Sequence, residues 1–282
     1  MNILVPTDFS NDAYNALFYA AKLYRDKKCQ FHIIHVCNRQ SHLKAEYSIY
    51  KGEKSLKQFL CDRTDECLKE TRHRIIADTD GNPLHKYTIV RIYDEFIKGV
   101  KTYMRNNPVD LLVMGNKGRT GAKEIFLGGN TIQMLKSKIS CPLLCIPKEI
   151  EYKTISRMVY ITDYKHAFNQ RALKLIKSIA KTNAAILHIL HVGDVDKQTD
   201  DQSNNKASLA RFFSNTDIRF HNITRSKSIA KTVANYVETH QIDLLGMIYY
   251  PHYLLTNIFR EPVVMDLSIY IEKPLLVLPD LE

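Results

Sequence analysis

Four short apolar blocks occur twice in this chain, in the same order. ILVPTDFS at 3–10 returns as MVYITDYK at 158–165, and FHIIHV at 31–36 returns as LHILHV at 187–192. VDLLVMG at 109–115 returns as IDLLGMI at 242–248, and CPLLCIP at 141–147 as KPLLVLP at 273–279. Four ordered matches are the mark of a tandem duplication, in which each copy must fold as the other does. The boundary falls in the charged link KEIEYK at 148–153, which gives domains over 1–150 and 151–282. The offset between copies drops from about 155 for the first two blocks to about 132 for the last two. Roughly twenty residues are therefore missing between the second and third blocks of the second copy.

Each block is a short apolar run that ends in polar or turn residues, the pattern of a strand buried on both faces of a parallel sheet. Helical periodicity fills the intervals. After Ser10, a residue type that caps helices, Ala13, Ala16, Leu17, Ala20 and Leu23 fall on one face. Phe96, Ile97, Val100 and Tyr103 repeat that spacing before Pro108, and NTIQMLKSKI supplies a third helix. Segment 40–78 is long, charged and helical in pattern, and 193–208 reads as its shortened, mobile counterpart. Alternating strands and helices specify an α/β fold, here two tandem open parallel-sheet domains of Rossmann-like type. CPLLCIP and KPLLVLP close their domains as edge strands, and pairing them with each other inside one chain would cover both edges and give a pseudo-dimer. A further homodimer through other surfaces stays open.

Composition narrows the function. The formal charge of +10 is uneven, with 24 Lys+Arg against 16 Asp+Glu in residues 1–150 and 16 against 14 in the remainder. No interleaving of aromatic and basic residues points to nucleic acid, and no amphipathic basic helix points to a membrane surface. Small anions fit the excess best. No apolar segment reaches the roughly 18–20 residues of a membrane span, and the start MNILVPTDFS has no leader pattern, so a cytoplasmic location is expected. Cys29, Cys37, Cys61, Cys67, Cys141 and Cys145 form no CxxC and no zinc spacing, so reduced, mostly buried thiols are expected and no metal site.

The anion-binding candidate is MGNKGRTGAKEIFLGGNT at 114–131. Gly115 ends a strand, and in open α/β sheets ligands bind beyond the carboxyl ends of strands. Gly128 and Gly129 precede a helix that starts near Asn130 and Thr131, whose first N–H groups favour an anion. Lys117, Arg119 and Lys123 add positive charge. Asp8 ends the first strand on the same edge, where a carboxylate can accept from ribose hydroxyls, and Val36 ends the second, where backbone can meet a base. Plainer readings stand beside these: turn-forming glycines, an Asp8 that caps the next helix, solvated loop charges, and His35 and His191 as satisfied core histidines.

The succession VPTDFS, IIHV, DLLVMG, G-x2-G-x9-G and CPLLCIP resembles a universal stress protein of the tandem type, strongly over 1–147 and weakly over 155–280. The resemblance implies ATP binding in the first domain, with Mg²⁺ carried by the nucleotide. Gly115, Gly118 and Gly128 match the spacing of the nucleotide-binding branch, but Gly129 stands where that branch has Ser or Thr. Thr131 fits a further phosphate contact, Asp8 the ribose-side aspartate and Val36 the base contact. Pro6, Thr7, Met114, Lys117, Arg119 and Asn130 complete the expected set. The second copy departs: Ile248 and Pro251 replace two glycines, and Glu261-Pro262 occupies the later glycine positions. Its Tyr249, Tyr250, His252, Tyr253 and Phe259 would plug the old pocket, pack against the other domain or hold a less charged ligand.

The expected function is a stress-response sensor or binding module gated by an adenine nucleotide. Neither a nucleophile with a base nor a Walker-type GK[ST] is present, so ATP hydrolysis would be weak at most. The alternatives are an interaction protein with both sites dead, or a nucleotidyl-transfer enzyme, which needs a Ser-Gly loop that PTDFS lacks.

Overall fold

The structure, a computed structural model, describes residues 1–37, 56–115, 128–148, 150–168, 170–193, 198–224, 228–249 and 272–280. It separates into two compact units, one built from Met1–Asn116 with Gly128–Cys141, the other taking in Pro142–Glu282.

The first unit runs β1 (Asn2–Pro6), α1 (Asn11–Leu23), β2 (Cys29–Cys37), α2 (Leu56–Asp78), β3 (His85–Tyr93), α3 (Phe96–Asn106), β4 (Leu111–Gly115) and α4 (Gly129–Lys136). Its strands lie in the order β3-β2-β1-β4, and β2 and β4 both run parallel to β1. The chain builds outward from β1 through β2 to β3, then returns to place β4 on the other side. That reversal opens a crevice at the carboxyl ends of β1 and β4, where ligands bind in such sheets. Ile3, Leu4 and Leu111 to Val113 are fully or almost fully buried, as strands covered on both faces require.

Helix α1 forms as its pattern predicts. The Ser10 side chain accepts from the Ala13 N–H, and Ala13, Ala16, Leu17, Ala20 and Leu23 are buried. Three alanines on that face let the helix axis lie close to the sheet.

The second unit contains β5 (Leu143–Ile146), β6 (Arg157–Thr162), α5 (Gln170–Thr182), β7 (Ile186–Val192), α6 (Asp200–Phe212), β8 (Ile218–Ile223), α7 (Ile229–Thr239), β9 (Leu244–Tyr249) and β10 (Leu275–Pro279). Its strand order is β5-β10-β9-β6-β7-β8. The first copy's last strand, β5, pairs antiparallel with β10 here, with Leu144 opposite Leu276 and Leu143 opposite Val277. The two edge strands therefore cover one another, as their matched length and chemistry suggested.

Two features differ from expectation. Residues 200–208 were expected to be mobile, yet they lie in α6. A capping box starts that helix: Thr199 accepts from the Gln202 N–H while the Gln202 side chain accepts from the Thr199 N–H. Strands β3 and β8 are additional, and no repeated block marks them. Each is outermost in its unit's order, half-exposed and free to vary in sequence. The shortening of the second copy lies between β7 and β8, where the 13-residue α6 stands for the 23-residue α2.

All six cysteines are free, and five are buried. Burial pushes the Cys141 and Cys145 thiols up to about 12, so they stay protonated and unreactive. Among the described residues no helix is long and apolar enough to cross a membrane.

Candidate functional site

Pro6, Thr7 and Asp8 of the expected site lie where β1 leaves the sheet, beside the end of β2. Pro6 is its last residue, opposite Ile34, and the Thr7 N–H donates to the Ile34 carbonyl at 2.8 Å. Strand β2 continues to Cys37. Backbone groups along a strand alternate sides, so Val36 presents its N–H and C=O on the same side as Ile34. At that level β1 has ended. The Val36 side chain lies under α3, because a β-carbon on Gly99 would sit 3.1 Å from its Cγ1. Its backbone is the part that faces the crevice.

The turn after β1 has a specific construction. The Thr7 hydroxyl accepts from the Phe9 N–H at 3.0 Å, and Phe9 takes a φ of 66°, left-handed backbone that a residue with a β-carbon adopts at a cost. The Phe9 ring stacks on His35 at 4.5 Å, and His35 Nδ1 donates to the Thr7 carbonyl at 2.7 Å. An aromatic pair is worth about 0.5–1.5 kcal/mol beyond its burial, which offsets the strained backbone. Asp8 is exposed at the tip of this turn. Its Oδ1 accepts from the Ser10 N–H at 3.1 Å and from the Ser10 hydroxyl at 2.5 Å. Ser10 is the cap of α1, and Asp8 orients it.

Met114 is buried, so only its backbone is available to a ligand. Gly115 has a packing reason to be glycine: a β-carbon there would lie 2.5 Å from the Asp12 carbonyl oxygen in the first turn of α1. Lys117, Gly118, Arg119 and Lys123 lie outside the described residues. Beyond them Gly128 is the N-cap of α4, with Gly129 and Asn130 exposed in its first turn. Open space surrounds a β-carbon built on Gly129. Thr131 is only 1% exposed and spends its N–H on the Gly128 carbonyl, so an anion at this end meets Gly129 and Asn130 first.

The second unit repeats the turn and closes it. The Thr162 hydroxyl accepts from the Tyr164 N–H, Tyr164 has a φ of 58°, and its ring stacks on His191 at 4.9 Å. Here Asp163, Tyr164 and His191 are all nearly inaccessible, and burial pushes the His191 imidazole below its ordinary range. Helix α6 seals them. Gln202 Nε2 donates to the Asp163 carbonyl at 2.7 Å, Asn205 Nδ2 to the Tyr164 carbonyl at 2.8 Å, and Gln198 Nε2 to His191 Nδ1 at 3.3 Å. Ile248, in the place of Gly115, is buried, and the connection before α5 is longer than the one before α1. Tyr249 closes β9 and is also buried, whereas Tyr250, Pro251, His252, Tyr253, Phe259, Glu261 and Pro262 lie outside the described residues.

Sequence reasoning passed over Phe9 and over the seal by α6. The repeated order Thr-Asp-aromatic, with a histidine ending the next strand, carried the first signal. The Thr-x-x-Gln of the capping box carried the second. His35 and His191 are satisfied histidines, as their apolar strands implied.

Comparison with known proteins agrees with this architecture. The sequence pattern of the Universal stress protein family matches residues 1–147. Universal stress protein MJ0577 of Methanocaldococcus jannaschii is 26% identical over 159 residues, covering 52% of this chain and 94% of its own length. Universal stress protein MJ0531 of the same organism is 26% identical over 153 residues, covering 52% and 81%. Among solved structures, a universal stress protein from Archaeoglobus fulgidus superposes over 98% of this chain and 97% of its own, with a TM-score of 0.75 at 16% identity. A putative universal stress protein from Pseudomonas aeruginosa covers 99% and 92%, with a TM-score of 0.62 at 11% identity. At those identities the likeness is one of fold.

Proposed function

The chain belongs to the universal stress protein family, and from that premise we propose that its first unit binds ATP and acts as a nucleotide-dependent sensor or binding module in stress response. The observation that carries the reading is the convergence, at the crevice between β1 and β4, of an exposed carboxylate, a strand backbone that runs on past the end of β1, and a glycine junction. Asp8 receives the ribose hydroxyls, and the Val36 backbone pairs with the adenine edge. The phosphates run toward Gly129 and Asn130, where the first turn of α4 supplies N–H groups and the positive end of its dipole. Open space around Gly129 fits a phosphate there. By the sequence pattern Lys117, Gly118 and Arg119 would also serve the phosphates, and Mg²⁺ arrives with the nucleotide. Gly129 cannot supply the hydroxyl found at that position in the nucleotide-binding branch, which removes one hydrogen bond worth about 0.5–1.5 kcal/mol.

The corresponding turn of the second copy is covered by α6 and offers no equivalent site. Calorimetric titration with Mg-ATP tests the assignment in the wild type and in Gly118→Val, whose added bulk crowds the phosphates. At least tenfold weaker binding by the variant supports the placement, and equal affinity refutes it.

A further inference from the structure

The two copies share a buried histidine–tyrosine pair, and the second has built on it. In the first unit His32 Nδ1 lies 2.9 Å from the Tyr103 hydroxyl; at the same place in the second, His188 Nδ1 lies 2.6 Å from the Tyr236 hydroxyl. Strand register puts His221 of β8 where β3 has Val90, since Leu190 pairs with His221 as Ile34 pairs with Val90. His240, four residues after Tyr236, stands where the first unit has Asn107. Both side chains reach back to the same carbonyl, Asn107 to Tyr103 and His240 to Tyr236, each at 3.0 Å. His221 stacks on His188 at 4.9 Å, His240 stacks on Tyr236 at 3.9 Å, and His221 and His240 lie 5.5 Å apart. Three imidazoles and a phenol thus hold α7 against β7 and β8, beside an open groove of about 580 Å³ lined by His221, Tyr236 and His240.

The charged groups around this cluster are mostly cationic. Arg219 projects from β8 and Arg157 from β6, and both act on His188. Lys231 of α7 lines the groove. Of the acids nearby, Asp243 already accepts from the Ser156 and Arg157 N–H groups, while Glu238 and Asp217 are exposed. Among the described residues no carboxylate acts on His188 or His221. The Nε2 atoms of His188 and His221 are buried without a partner. Neutral rings stack well here, whereas protonated ones would face each other and two guanidiniums without a counter-charge.

We propose that the His188–His221–His240–Tyr236 cluster is an acid-released clasp, which holds α7 on the second unit's sheet at neutral pH and lets it open as the surroundings acidify. The linkage runs in that direction. Burial first, then His221, His240 and the two arginines, push His188 from 6.5 down to about 4; burial, His240 and Arg219 also lower His221. The open form therefore binds more protons than the closed one below about 6.5. The clasp is complete above that pH and weakens as pH falls toward about 4. His188 alone favours opening about tenfold per pH unit in that window. The first unit has only the His32–Tyr103 pair, so its α3 should respond less.

Hydrogen exchange of the full chain, read by mass spectrometry at about pH 7.5 and about pH 5.5 and corrected for intrinsic rates, tests this. Peptides over 229–240 should open at least tenfold more at the lower pH, and peptides over α3 distinctly less. His221→Val with His240→Asn, which installs the first unit's residues, should remove most of the difference. Equal acid response in the wild type and the double variant overturns the clasp, as does equal response in α3 and α7. Should the double variant fail to fold, imidazole titration of the wild type by NMR decides. Resonances of His188 and His221 that titrate below the ordinary range support the clasp, and both titrating near 6.5 overturn it.

Discussion

A β-carbon on Gly115 would lie 2.5 Å from the Asp12 carbonyl oxygen, a backbone atom that cannot turn aside. Gly115→Ala should therefore displace the start of α1 from β4. The expected loss is about 1–3 kcal/mol of stability, read from the denaturant midpoint. Asp8 makes the opposite case. It is exposed and its contacts to Ser10 survive in Asp8→Asn, so the melting temperature should hold. On the proposed reading the charge that would accept from the ribose is lost, however, and ATP affinity should fall about tenfold. An Asp8→Asn protein that melts normally and binds ATP as tightly as wild type would remove Asp8 from the site. At this scale the sequence was partly legible. Asp8, Val36 and Gly115 could be chosen because both copies align around them. Phe9 and Thr7 act through ring stacking and a left-handed turn, which depend on a histidine that lies near them only after folding.

Elements were readable where they are buried and periodic, and obscure where tertiary packing decides. The blocks repeated at β1, β2, β4 and β5 are covered on both faces, which restricts them to apolar residues in both copies. Edge strands β3 and β8 carry no such restriction and escaped notice. Helix α6 looked mobile because DDQSNNK is polar, yet the capping box starts it and the bonds to Asp163 and Tyr164 hold it. The Gln202 amide serves both functions, so Gln202→Ala should lower stability by about 1–3 kcal/mol in thermal unfolding. The β5–β10 pair carries a second prediction at this scale. A fragment of residues 1–150 keeps β5 but loses β10, and its apolar edge should drive self-association visible by analytical ultracentrifugation. A fragment that stays monomeric and as stable as the whole chain would contradict the importance of that pairing.

For the molecule as a whole, the two copies share a scaffold and differ at the turn after their first strand. Both units keep the parallel sheet, the threonine-anchored turn and the histidine–tyrosine pair, which are matters of folding. Only the first keeps its turn exposed beside a glycine-ended strand and a glycine-capped helix. The second covers its turn with α6, fills the Gly115 position with Ile248, and gathers imidazoles around α7. A chain so divided should bind one nucleotide, and the stoichiometry of Mg-ATP binding to the full-length protein tests that most directly. Equilibrium dialysis at saturating ATP should give one nucleotide per chain, weakened at least tenfold by Gly118→Val and unchanged by Gln202→Ala. Two nucleotides per chain, or none, would contradict the account.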